Sequence, residues 1–140
     1  LFGFILTALQ VPQALMAVVT EADVNRWVIF VGINLVLLFL GCFLETVSII
    51  LITLPMIYPI MRHLGFDLIW FNVVLLINME LALITPPIGM NLFVIKGISP
   101  NSRMHEIIAG SMPFVAIMAG EILLLAVVPE LATWLPQVLK

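Results

Sequence analysis

The chain has 140 residues, 64% of them hydrophobic and 9% charged, with a formal net charge of −3 and a mean hydropathy of +1.29. Soluble domains carry roughly 25% charged residues, and so short a chain cannot cover this much apolar surface with so few polar groups, so this is an integral membrane segment. The sparse charge forms no polybasic face, which argues against nucleic acid or anionic lipid as a specific partner, and Cys42 stands alone, which excludes an internal disulfide and a cysteine metal cluster.

Residues 1–20 carry no charge and can form a helix of about 30 Å. Pro12 interrupts the run, so a span is expected to end near Gln10, with a shorter helix to about Val19 and a polar connector completing a first segment, 1–26. No basic n-region precedes the apolar run at Leu1, so no signal peptide is expected, and the chain reads as the C-terminal part of a longer protein.

The second segment, 27–61, would be about 52 Å long as one helix, well beyond a ~30 Å hydrocarbon core. Gly41 and the pair Glu45-Thr46 mark the only plausible break. Arms of about 14 and 16 residues, ~21–24 Å each, are short of a full span and suit a re-entrant hairpin with its tip inside the membrane. The alternative is two kinked spans, the second bent at Pro55 and Pro59. Trp27 and Trp70 are expected as interfacial anchors. His63 and His105 read as solvated loop residues, not metal ligands.

The third segment, 62–95, opens with the loop Arg62-His63-Leu64-Gly65-Phe66-Asp67, in which Gly65 suits a helix C-terminus. A helix over 68–84 and another over 88–95 follow, separated within Leu83-Ile84-Thr85-Pro86-Pro87-Ile88-Gly89-Met90-Asn91. Neither proline has an N–H, so the carbonyls of Ala82 and Leu83 lose their helical partners, and Pro86 pushes Thr85 out of helical geometry. Bare carbonyls at membrane depth survive only against protein or a water-filled cavity, and broken helices of this kind build the ion and substrate sites of secondary transporters. The plainer reading is a proline kink. The fourth segment, 96–140, holds a polar turn over 96–103, a final span over 106–128 and an interfacial tail with Pro129, Trp134 and Pro136. Gly110 and Gly120 are expected to permit close helix contact.

Three acids lie in apolar surroundings, Glu45, Glu80 and Glu121, and an ionisable group at such depth is a functional candidate by default. Glu45 falls at the hairpin tip. Glu80 is expected to bind a polar group of a neighbouring helix, and Glu121 to face a packing partner or the headgroups. No Ser/His/Asp set, His-Glu-x-x-His spacing or phosphate-cradling glycine loop is present, so the chain is not expected to be an enzyme. The remaining polar groups are hydroxyls and amides, which suit a hard cation such as Na⁺. A half-helix beginning after Pro87 presents N–H groups to an anion, and the half-helix before Pro86 presents carbonyls to a cation. With the hairpin tip beside them, the expected sodium positions are Gly41, Glu45, Ala82, Leu83, Thr85 and Pro86. Those on the side of a substrate carboxylate are Thr46, Gly89 and Asn91.

The runs Gly41-Cys42-Phe43-Leu44-Glu45, Ile50-Leu51-Ile52-Thr53-Leu54-Pro55 with Pro59, Ile77-Asn78-Met79-Glu80 and Ile84-Thr85-Pro86-Pro87-Ile88-Gly89-Met90-Asn91-Leu92-Phe93-Val94 resemble, in order and spacing, the large membrane subunit of TRAP (tripartite ATP-independent periplasmic) transporters. The resemblance covers nearly the whole chain and corresponds to the C-terminal third of that subunit. It implies an all-α membrane protein, half of an inverted-repeat elevator transporter, with 27–61 as the second re-entrant hairpin and 68–95 as the second discontinuous helix. It also implies sodium-coupled import of an organic acid, such as a C4-dicarboxylate or a sialic acid, with Na⁺ as coupling ion and no other cofactor. The implied partners are a periplasmic binding protein that delivers the substrate and a small four-helix membrane subunit. The implied location is the bacterial inner membrane, with 96–106 in the cytoplasm and the C-terminus in the periplasm. Asp is usual in that family where this chain has Glu45, whose extra methylene moves the carboxylate by about one bond length. The alternatives are a related anion/sodium symporter working without a binding protein, a proton- or ion-conducting module, and an intramembrane enzyme completed by groups outside this chain.

Overall fold

The computed structural model describes residues 24–138; the helices expected over residues 1–20 and most of the connector after them lie outside the described part. Six helices follow in order: α1 (Arg26–Gly41), α2 (Thr46–His63), α3 (Leu68–Leu83), α4 (Met90–Ile98), α5 (Met104–Val127) and α6 (Glu130–Val138). There is no strand among the described residues.

Local signals set the helix ends. Asn25 accepts the Trp27 N–H at 2.9 Å and opens α1. Glu45 does the same for α2, taking the N–H groups of Val47 and Ser48 at 3.2 and 3.1 Å. Gly65, at φ +76°, closes α2 by letting its own N–H reach the Arg62 carbonyl and that of Phe66 reach Met61, the paired bonds that a left-handed residue makes possible. Asp67 then caps α3 through Ile69 and Trp70. After α4, Lys96 Nζ donates to the carbonyls of Pro100 and Ser102, folding the polar turn before α5.

The arms of the 27–61 segment are longer than the spacing of charges suggests. α1 has 16 residues, about 24 Å, short of a ~30 Å core. α2 has 18 and continues through Pro55 and Pro59; it and the 24-residue α5 are long and apolar enough to cross a membrane. The break falls at 42–45, as expected. The expected interfacial tail is instead the helix α6, packed back on α3 and α5.

α3 is the hub, packed against each of the other five described helices. In lipid, transfer from water no longer drives helices together, so packing and interhelical hydrogen bonds decide the arrangement. α3 has one such side-chain bond to each long neighbour. Tyr58 on α2 donates to Asn72 Oδ1 at 2.6 Å, Trp70 Nε1 donates to the Leu125 carbonyl on α5 at 2.7 Å, and Asn78 Nδ2 donates to the Asn34 carbonyl on α1 at 2.9 Å. Around these pack Phe30, Leu37, Ile49, Met61, Phe71 and Met79.

The direction of α1 follows from its contacts. Trp27 meets Trp70, with ring centroids 6.3 Å apart, Asn34 meets Asn78, and Gly41 meets Ala82. The partners advance together along both chains, so α1 and α3 run parallel and their C-terminal ends arrive side by side.

Two expectations are corrected here. Trp70 is no exposed anchor: it is 2% exposed, in the core against Phe66, Phe30 and Trp27, because only there does its N–H find the Leu125 carbonyl. Gly110 and Gly120 mediate no close contact among the described residues, since a Cβ at either would meet nothing within 4 Å. His63 and His105 are exposed, as expected, but stand on the last turn of α2 and the first of α5. Replacing Trp70 with Phe keeps the ring and strands the Leu125 carbonyl. This substitution should lower stability by about 1–2 kcal/mol, read as a lower thermal midpoint in detergent; an unchanged midpoint would show that α5 is held by packing alone.

Candidate functional site

The site is the meeting of two interruptions in the helices. The first is the turn 42–45 between α1 and α2; the second is the break 84–89 between α3 and α4, with the Pro86–Pro87 bond cis. Gly41 ends α1 so close to α3 that a Cβ on it would stand 2.6 Å from the Ala82 Cβ. No side chain larger than hydrogen fits there without movement. The next residue, Cys42, is buried and its thiol donates to the Thr85 carbonyl at 3.6 Å, with the Pro86 carbonyl at 3.9 Å.

Within the break the chain folds back over its own carbonyls. Gly89 has φ +56° and is buried; a Cβ there would stand 2.9 Å from the Thr85 carbonyl oxygen and 3.2 Å from that of Leu83. Only glycine gives both this backbone conformation and this approach. Among the described residues no backbone N–H bonds to the carbonyls of Leu83, Thr85 or Pro86. The Ala82 carbonyl does better than the loss of the proline N–H implies, accepting the Thr85 N–H at 3.4 Å. The Thr85 hydroxyl donates back to Leu81 at 2.6 Å, which leaves its oxygen lone pairs as further acceptors. Ser111 on α5 donates to the Ile108 carbonyl of its own helix at 2.8 Å, with the Ile84 carbonyl at 3.4 Å, and so brings a third helix to the break.

The helix ends have opposite electrical character. α1 and α3 both bring C-terminal carbonyls here, the partially negative end of a helix, while α2 and α4 begin nearby with their N–H groups. The two N-termini differ. That of α2 is occupied by the Glu45 carboxylate, which also accepts the Ser48 hydroxyl at 3.1 Å; that of α4 has no side-chain cap and is the one open to an external anion.

Of the positions expected from the sequence, Gly41, Ala82, Leu83, Thr85, Pro86 and Gly89 are brought together. Glu45 is not among them: its hydrogen bonds go to Val47 and Ser48, and none goes to 82–91. Thr46 is the half-exposed first residue of α2, and Asn91 is exposed on the first turn of α4, neither in hydrogen-bond contact with the break. Glu80 and Glu121 are exposed on faces that the described helices leave bare. Cys42, Ser111 and Asn34 were not legible as site residues. The first stands alone in the sequence, and polar residues inside apolar helices give no sign of what they face. No group of three or more His, Cys, Asp or Glu suited to a metal lies among the described residues. An apolar groove of about 490 Å³ between α1 and α2, and another of about 420 Å³ between α1, α3 and α5, include no residue of the break.

Comparison with known proteins shows the family to which the chain belongs. The family model "Tripartite ATP-independent periplasmic transporter, DctM component" matches residues 1–131. The chain is 35% identical over 137 residues to the C4-dicarboxylate TRAP transporter large permease protein DctM of Pseudomonas aeruginosa, covering 98% of this chain and 32% of that protein. It is 32% identical over 136 residues to the sialic acid TRAP transporter large permease protein SiaM of Vibrio cholerae, 97% of this chain and 32% of that one. To the isethionate TRAP transporter permease protein DctMQ of Oleidesulfovibrio alaskensis it is 30% identical over 131 residues, 94% of this chain and 20% of that one. The chain belongs to the DctM family of TRAP transporter large permeases, and spans about a third or less of the length of these relatives.

The contact between the two interruptions can be tested by exchanging side-chain volume across it. Gly41→Ala should cost about 1–3 kcal/mol through overpacking, and adding Ala82→Gly should recover most of the loss, both read by thermal unfolding. Equal stability of Gly41→Ala and the parent protein would mean that α1 and α3 do not touch there.

Proposed function

We propose that this chain is part of the large permease subunit of a sodium-coupled transporter that imports an organic acid across the bacterial inner membrane. The acid is delivered by a periplasmic binding protein, and a small membrane subunit supports the permease. The observation that carries the reading is the pair of parallel helix C-termini at Gly41 and Leu83, set beside the uncapped N-terminus of α4. The carbonyls of Leu83, Thr85 and Pro86 offer oxygens to Na⁺, and the first N–H groups of α4 offer donors to a carboxylate. Sodium beside a carboxylate lets each charge offset the other's desolvation, which is large at membrane depth. A carboxylate, sulfonate or sialic acid fits equally well, consistent with the variety in the relatives' names. In this reading α1 and α2 are the arms of a re-entrant hairpin, and the hairpin and broken helix travel together in an elevator movement.

Two measurements test the proposal on the full-length permease reconstituted with its partners. Thr85→Val keeps the shape of the break and removes one oxygen. The half-saturating sodium concentration for uptake should rise several-fold, up to about tenfold, the factor that matches one interaction of ~1–1.5 kcal/mol. Replacing Pro86 and Pro87 together with Ala should let the helix re-form and abolish sodium-driven uptake. A mere kink predicts less folded protein with an unaltered sodium curve, and that result in both variants would remove the sodium site from 82–91.

The hairpin is tested by labelling. Cysteines at Arg26 and Arg62 should react from the same side of the membrane. Cys42 should resist a bulky impermeant reagent from the opposite side; reaction as fast as that of a loop cysteine would mean two full spans.

A further inference from the structure

We infer that Asn78 and Asn34 are positioning residues whose interhelical amide contact holds the turn 42–45 on the break 84–89. Asn78 is 2% exposed in the middle of α3. Its Nδ2 donates to the Asn34 carbonyl at 2.9 Å and lies 3.2 Å from Asn34 Oδ1, while Asn34 Nδ2 donates to the Phe30 carbonyl at 2.8 Å. An amide buried in apolar surroundings is costly unless it is bonded, and asparagine is a poor helix former. Two of them at facing positions add nothing to the helices that carry them, and what they provide is a tie between α1 and α3.

Its position gives that tie a use. Asn78 lies one turn before Ala82, and Asn34 two turns before Gly41. No other side-chain hydrogen bond joins α1 to α3 among the described residues. The helices are parallel, so a slip of one residue moves one past the other by ~1.5 Å. That slip would break the amide contact and carry Gly41 away from Ala82, taking the Cys42 thiol off the Thr85 carbonyl. The amide pair therefore sets the register in which the two sets of carbonyls converge. The consequence for transport rests on the sodium reading; the tie itself rests on the geometry.

The test uses the full-length permease in vesicles with its partners, every cysteine other than Cys42 replaced by Ser, and measures the rate at which N-ethylmaleimide modifies Cys42. Asn78→Leu keeps the volume and removes the donor; Cys42 should react about three- to tenfold faster, the range that an interhelical amide bond in a membrane supports. Tyr58→Phe removes the α2–α3 bond of similar length and should leave the rate unchanged, which separates register from general loosening. Asn34→Ala removes one of two acceptors and should give a smaller rise of about twofold; it decides the matter should Asn78→Leu yield no folded protein. No acceleration, or the same acceleration in Tyr58→Phe, overturns the inference. Fast labelling with an unaltered sodium curve keeps the tie and removes the break as the sodium site; slow labelling overturns the tie whatever the sodium curve does.

Discussion

The approach of Gly41 to Ala82 is the contact on which the rest depends. Two parallel helices end side by side, so close that a single methyl group on residue 41 would collide with the Ala82 side chain. Were α1 antiparallel to α3, a C-terminus would meet an N-terminus and their partial charges would cancel locally. Parallel ends add. The arrangement brings two sets of helix-end carbonyls together beside the N-termini of α2 and α4, so both polarities of backbone group meet in one region.

A chain in hydrocarbon cannot leave such a region unattended, because each unsatisfied backbone group costs several kcal/mol there. The fold attends to it with small groups. The Cys42 thiol, a weak donor, rests on Thr85 and Pro86, Ser111 reaches Ile84, and Gly89 closes over the carbonyls of Leu83 and Thr85 without a side chain. None is strong enough to compete with an ion. Strong donors are spent elsewhere, on α3 as the hub: Trp70, Asn78 and Tyr58 each make a short interhelical bond at a distance from the break. A rigid frame thus surrounds a weakly satisfied centre.

The outer surface follows the same division. Leu51, Ile117, Leu123 and Val127 are exposed, which suits faces turned to lipid or to further protein. Glu80 and Glu121 share that exposure. A carboxylate on such a face is costly in lipid without a partner, and no described side chain forms a hydrogen bond with either acid.

Much of the architecture follows from the sequence alone, because the signals are local. The double proline stops a helix wherever it stands, Gly65 and Asp67 close and open helices by their own geometry, and the length of 27–61 against the bilayer forces a break near Gly41. The order of these motifs identifies the family. Sequence reasoning misplaced what depends on partners. Glu45 reads as a functional acid at the hairpin tip, and its oxygens cap the first turn of its own helix; Trp70 reads as an anchor and is core; Gly110 and Gly120 read as packing sites, and no described helix meets them. Cys42, Ser111, Asn34 and Asn78 acquire meaning only from the residue across from them. A re-entrant hairpin already implies that α1 and α3 enter from one side with their ends together. Tertiary structure alone decided which residues touch there, Gly41 on Ala82 and the Cys42 thiol on the Thr85 carbonyl, more than forty residues away along the chain. Hydrophobic periodicity sets which face of a helix is buried, but which residue stands opposite which depends on rotation and register, and these are fixed only when the helices pack.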